Sequence, residues 1–395
     1  MKKGKFLFLL AILFFETVRV SAALPAWFPS GTNTEFGGYV KELPFFQFPS
    51  DGGETDAFNV VHFRVNTKWY PVDVMSVEAA GRLRLFSGSS LFPDSLFGGE
   101  GILSGTDRGY VDLTDAWPSV LFGDIDRANL GFSPGNFIFT LGRQRINWGT
   151  NFIWNPNDWY NTYNFLDFDY EERPGADALR IQYFTGATSV AELALQAAKK
   201  QRDRTLAAMY RFNIFNYDLQ FQGGLSGNDV AAGFSWAGQI GGAGFRGEAS
   251  FYYPVLDSDE KDEYVKTVAG VSIDYTFPNS LFLHGEALYN RYGTRGDIPF
   301  STNIFSDVSA RNLLPSRFGL FAEASYIFTP LLTGSLAASM NPDDFSFYFA
   351  PGVQWSVFQN LDFSAVAQLF FGEDRTLYGN SDHLLAFTFR WSFGL

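Results

Sequence analysis

Two arginines one residue apart, Arg143 and Arg145, follow an alternating segment, Phe137 to Leu141, and lead into an aromatic-rich stretch that contains Trp154, Trp159 and Tyr160. Five more arginines in alternating segments fall at one parity: Arg64, Arg82, Arg84, Arg180 and Arg211. A guanidinium is permanently charged and presents its donors in a planar fork, so such a set does electrostatic chemistry: it holds carboxylates or phosphates and biases the movement of ions. The second half of the chain offers the opposite sign at the matching parity in Glu248, Asp274, Glu286 and Glu323. Facing rows of opposite charge across a narrow aqueous space would orient polar solutes. Charges confined together also pair with one another, and residue types alone do not choose between the two roles.

Acid–base catalysis has thinner support. Hydrolases of this kind need a histidine placed against a serine or carboxylate. The three histidines are His62, His284 and His383, and no G-x-S-x-G or H-E-x-x-H motif accompanies them. His284 with Glu286 reads as a polar pair rather than a dyad. The absence of cysteine excludes disulfides, thiolate metal ligands and a lipid anchor on an N-terminal cysteine. The run Asp257 to Glu263, DSDEKDE, reads as a solvated loop tip, a divalent-cation site being the alternative. No cofactor is implied.

The elements that carry these residues follow from patterning. Phenylalanine occurs 45 times and glycine 39 times, yet mean hydropathy is only −0.05 and no apolar run long enough for a membrane helix follows the first fifteen residues. Short alternating segments rich in aromatics are what a membrane β-barrel needs, each lipid-facing residue being followed by a water-facing one. The competing fold is a large soluble β-sandwich or β-helix. At the N-terminus, Lys2, Lys3 and Lys5 precede the apolar Phe6 to Phe15 and a small-residue cleavage pattern near Ala22 or Ala23, the form of a secretory signal over 1–23. The expected mature chain, 24–395, holds 25 basic against 41 acidic side chains, a formal charge of −16. So acidic a chain argues against nucleic-acid binding.

The clearest strand is Phe58 to Tyr70, with Phe63, Val65, Thr67 and Trp69 on one face and His62, Arg64, Asn66 and Lys68 on the other. Tyr70-Pro71-Val72-Asp73 is a turn, and short turns recur at Ser133-Pro134-Gly135, Thr185-Gly186, Phe215-Asn216, Gly241-Gly242, Phe277-Pro278-Asn279, Thr329-Pro330 and Phe358-Gln359-Asn360, which are assigned to the periplasmic rim because barrels of this class keep their short turns there. Longer polar connections at 87–120, 150–176, 256–266, 293–315 and 372–382 belong to the opposite rim. The count is about 18 strands, or 16 if Tyr110 to Phe132 is miscounted, all antiparallel in an up-and-down transmembrane barrel. Continuing the parity of Phe137, Phe139 and Leu141 puts Arg143 and Arg145 against lipid, at a cost of roughly 2–4 kcal/mol at mid-depth. Either they lie near the headgroups or a bulge at Gly142 turns them inward; the bulge is the expectation.

The last strand, FTFRWSFGL, resembles the terminal aromatic strand that bacterial outer-membrane barrels present to their assembly machinery, although it ends in Gly394-Leu395. The stretch GRQRINWG followed by NPND, Gly142 to Asp158, is similar to porin-like families near the alginate-export and phosphate-selective porins. That resemblance implies passive movement of polar or anionic solutes past basic pore-lining residues. The combined expectation is a porin for small hydrophilic solutes, in contact with outer-membrane lipid and the assembly machinery. Arg143 and Arg145 stand at its constriction, Arg64, Arg82, Arg84, Arg180, Glu248, Glu286 and Glu323 line it, and an inward loop carries Trp154, Trp159 and Tyr160. A non-conducting adhesive barrel and a barrel lipid hydrolase are the alternatives. Oligomeric state is left open.

Overall fold

A computed structural model describes residues 33–50, 52–88, 109–112, 119–166, 175–199, 203–255, 265–298, 308–379 and 381–394. The signal segment 1–23 and the DSDEKDE run lie outside the described residues.

The N-terminal third contributes β1 (Asn33–Phe48), β2 (Asp56–Val72), β3 (Met75–Gly88), β4 (Gly109–Asp112), β5 (Ser119–Phe132) and β6 (Phe137–Gln144). The middle contributes β7 (Ala176–Gly186), β8 (Ser189–Gln196), β9 (Thr205–Ile214), β10 (Tyr217–Ser226), β11 (Asp229–Ile240), β12 (Ala243–Pro254), β13 (Lys266–Thr276) and β14 (Leu281–Asn290). The remainder contributes β15 (Phe318–Thr329), β16 (Leu332–Met340), β17 (Phe347–Phe358), β18 (Leu361–Phe371) and β19 (His383–Gly394). Each pairs antiparallel with its sequence neighbours except at β4, where β3 pairs with β5 instead, and β1 lies between β2 and β19, closing the sheet on itself.

Nineteen segments give 18 positions around the wall. β5 pairs with β3 along its whole length; on its other side β6 covers Ala128–Phe132 and β4 covers Val120–Gly123. β4 therefore shares one position with β6, which resolves the ambiguity over Tyr110 to Phe132. β6 is short because the chain leaves the wall after Gln144.

Alternation sets the two faces. In β2, His62 and Arg64 are 1% and 2% exposed while Phe63 between them is 43% exposed, so the first two face a filled lumen and the third faces lipid. All the expected short turns lie on one rim. Phe215 and Asn216 have φ of 53° and 63°, and Gly241 and Gly242 of 59° and 87°, the left-handed pair that tight hairpins of right-twisted strands require. The opposite rim has one short turn that the pattern did not suggest, Gly227-Asn228 between β10 and β11. Eighteen strands enclose a space too wide for wall side chains to fill, so loops must occupy part of it.

Candidate functional site: a charged wall facing an inward loop

After β6 the chain turns into the barrel. Ile146, Trp148 and Trp154 are at most 1% exposed, and Trp159 and Tyr160 are each 7% exposed. The loop is tied to the wall from β8 round to β18. Trp148 Nε1 donates to Glu192 at 2.7 Å and the Tyr160 hydroxyl donates to the Ala194 carbonyl at 2.9 Å, both on β8. Gln220 and Gln222 of β10 donate to the carbonyls of Trp148 and Asn157. Trp159 donates to Ser250 of β12, and Gln368 of β18 donates to the Leu166 carbonyl at 2.8 Å. Trp154 packs edge-on against Phe165 and Phe321 and joins Leu313, Leu314 and Tyr348 in one apolar cluster. Burial, reinforced by the charge of Glu192, pushes the Tyr160 phenol well above its ordinary pKa, so it stays protonated and keeps the proton it donates to Ala194.

Two buried wall carboxylates hold the loop's backbone. Glu248 on β12 accepts from the amides of Thr150, Asn151 (2.6 Å) and Asn157 (2.9 Å) and from the Thr150 hydroxyl. Glu286 on β14 accepts from the amides of Ile153 and Trp154, the latter at 2.7 Å. A folded-in loop has amides that no strand can satisfy, and a buried carboxylate needs several donors; here each need meets the other. Thus Glu248 and Glu286, 1% and 4% exposed, hold the loop, while Glu323 on β15 keeps a 30% exposed side chain 4.0 Å from His284.

The opposite wall is a ladder of alternating charge. Arg64 on β2 pairs with Asp126 and donates through Nε to Asn66 at 2.8 Å. Arg82 on β3 reaches Asp126 at 3.2 Å and Asp124 at 3.8 Å, and Arg84 reaches Asp124 at 2.8 Å. A bulge makes the ladder: Ala80 pairs with Arg127 and Gly81 with Ile125, leaving Asp126 as an extra residue on β5 whose side chain points inward with its neighbour Arg127. Arg180 on β7 lies on the loop's side, bound to Glu192 at 2.7 and 2.8 Å beside the Trp148 indole.

The expected bulge at Gly142 is absent, and this corrects the orientation of Arg143. Pairing runs without a shift through Leu141–Leu179, Gly142–Ala178 and Arg143–Asp177 on one side, and through Gly142–Asn129 and Arg143–Ala128 on the other. Arg143 therefore keeps the outer parity of Leu141. It makes a two-pronged bond to Asp177 at 2.7 and 2.8 Å, and a third to the Ile125 carbonyl at 3.1 Å. That carbonyl lies where β5 has lost β6 as a neighbour, so the guanidinium closes a seam in the wall. Arg145 is exposed just beyond the end of β6.

Sequence reading missed Asp124, Asp126 and Glu192. The two aspartates do carry the period-2 signal of a strand, with Phe122 one step earlier, but fell in the segment whose strand count was ambiguous. Glu192 was visible at lumen parity in SVAELALQ.

His284 sits among Phe152, Phe282 and Phe321, with Nε2 3.5 Å from Glu286. Neither ring nitrogen of His284 makes a hydrogen bond among the described residues, so Glu286 does not orient the imidazole as a catalytic partner would.

No family model matches the chain, and no curated protein sequence matches it. Solved structures do resemble it. OccAB4 of Acinetobacter baumannii aligns with a TM-score of 0.61 at 8% identity, covering 93% of this chain and 100% of that one. OccAB1 of the same organism aligns at 0.59 and 11% identity, covering 92% and 97%. OccK8 (OprE) of Pseudomonas aeruginosa aligns at 0.59 and 9%, covering 92% and 98%. At such identities the likeness is one of architecture, and the architecture shared with them is a closed antiparallel barrel, here of 18 strand positions.

Proposed function

We propose that the chain is a channel of the bacterial outer membrane through which small hydrophilic solutes diffuse passively. The observation that carries this reading is a closed wall, apolar outside and charged inside, narrowed by a loop held against one half of the lumen. The other half keeps the Arg64–Asp126–Arg82–Asp124–Arg84 ladder. An aqueous lumen lined by fixed charges selects by size and charge and needs no moving part. The aromatic last strand, β19, supports entry through the barrel-assembly machinery, and the chain works without catalysis.

The test is single-channel recording of the refolded protein in a planar bilayer, with reversal potential measured across a salt gradient. Stable current steps with defined ion selectivity are expected. Folded, membrane-inserted protein that carries no current would overturn the reading and favour a closed surface barrel. One observation points that way: Leu43, Phe45, Phe58, Val60, Phe86 and Phe122, at lumen parity toward the long-loop rim, form a buried apolar cluster.

A further inference from the structure

The aromatics singled out from the sequence, Trp154, Trp159 and Tyr160, are buried as anchors and present no face to a solute. Phe152, at the turn between the two carboxylate-held parts of the loop, is different: it is 43% exposed although it stands inside the barrel, beside lumen-facing residues of β12 and β14. Its backbone is fixed on both sides, since the Asn151 amide donates to Glu248 and the Ile153 amide to Glu286, and its carbonyl accepts from the Tyr163 hydroxyl at 2.8 Å. The Arg246 guanidinium lies 4.3 Å from the ring centroid and is held there by Asp274. His284 meets the ring edge-on at 4.9 Å. A phenyl ring held half-open to water forgoes burial that a small rotation or a smaller side chain would avoid, so its exposure calls for a partner.

The charges around the ring say which partner. Arg246 and Asp274 neutralise each other and the Glu286 side chain is fully buried against the loop amides, which leaves Glu323, 30% exposed beside His284, as the carboxylate of this group open to the lumen. The open part of the ring attracts positive charge through its quadrupole. Acidic residues also outnumber basic ones in the whole chain by 13, which concentrates cations at the mouth. We infer that Phe152 and Glu323 form a lumen subsite for small organic cations that carry an apolar body next to a positively charged nitrogen, and that this subsite sets solute preference. The inference rests on the channel reading above and names its solute class.

The experiment compares three probes by the duration of the current blocks they cause in the refolded protein: phenethylammonium, n-butylammonium with the same charge and no ring, and phenylacetate with the ring and the opposite charge. Phenethylammonium is expected to block about fivefold longer than n-butylammonium, as one ring–ring contact of about 1 kcal/mol with Phe152 implies, and longer than phenylacetate, which lacks the positive charge that Glu323 and the ring attract. Phe152→Leu should bring phenethylammonium down to the n-butylammonium value, and Glu323→Gln should shorten both ammonium blocks while leaving phenylacetate unaltered. Phe251→Leu removes an equally exposed phenylalanine from the outer wall and should keep the wild-type ratio. Equal block times for the three probes in the wild type, or an unaltered ratio in Phe152→Leu, would overturn the subsite. If the wild type passes no current, the channel reading fails. Calorimetric titration of the detergent-solubilised protein with the same probes then decides the subsite alone, equal affinities overturning it.

Discussion

Arg143 and Arg82 carry the same charge and do different work because of where the wall places them. Arg143 faces outward, and its bonds to Asp177 and the Ile125 carbonyl stabilise the edge exposed where β6 ends. Arg143→Ala should lower resistance to urea unfolding by about 1 kcal/mol, the upper end for a partly exposed ion pair, and leave the reversal potential unchanged. Arg82 faces inward and shares Asp124 and Asp126 with its neighbours. Removing its charge in Arg82→Gln leaves both aspartates and should move the reversal potential toward cation selectivity. A selectivity change in the Arg143 variant, or none in the Arg82 variant, would reverse the assignment.

At the scale of the element, the inward loop depends on the charge of two wall residues. Glu248→Gln keeps the shape but replaces one acceptor oxygen with an NH2 group that meets backbone amides donor to donor. The expected result is loss of about 2–4 kcal/mol of loop attachment, read as noisier, larger single-channel currents and faster protease cleavage within 150–161. An unaltered current and cleavage rate would show that the tryptophan and tyrosine contacts hold the loop without Glu248. The strand that launches the loop has its own constraint. Gly142 has φ of 113°, and a Cβ there would lie 2.3 Å from the Ala128 carbonyl oxygen. Both backbone conformation and space therefore require glycine, and Gly142→Ala should reduce the yield of heat-modifiable, folded barrel on gels. Normal yield would mean that β5 can move aside.

At the scale of the whole molecule, closure is the source of stability, because a barrel has no unpaired edge. β19 pairs with both β18 and β1, so truncation before His383 removes two ladders at once. The truncated chain should give no protease-resistant, heat-modifiable form, whereas deletion within 256–264, between β12 and β13 in the sequence, should be tolerated. Comparison of both proteins by heat-modifiable mobility after refolding in detergent checks this; a folded truncated form would show that 17 positions can close.

The period-2 alternation of segments such as Phe58–Tyr70 and Leu361–Leu369, with short turns between them, was enough to read strands, faces, rims and a closed barrel of about 18 positions. These properties are local: a residue's parity and its turn neighbours lie within a few positions of it. The inward parity of Arg64, Arg82, Arg84, Arg180, Glu248, Glu286 and Glu323 was legible for the same reason. What those residues touch was not. That Glu248 and Glu286 hold the amides of a loop about a hundred residues earlier, that Asp124 and Asp126 stand between three arginines, and that Arg143 faces out while Phe152 is the exposed aromatic within the loop are matters of register and of loop path. A bulge on β5 rather than on β6 decides the first arginine ladder, and it leaves no mark in alternation that a single chain can reveal. Pairing between distant segments is settled only when the sheet closes and fixes every strand against two neighbours at once.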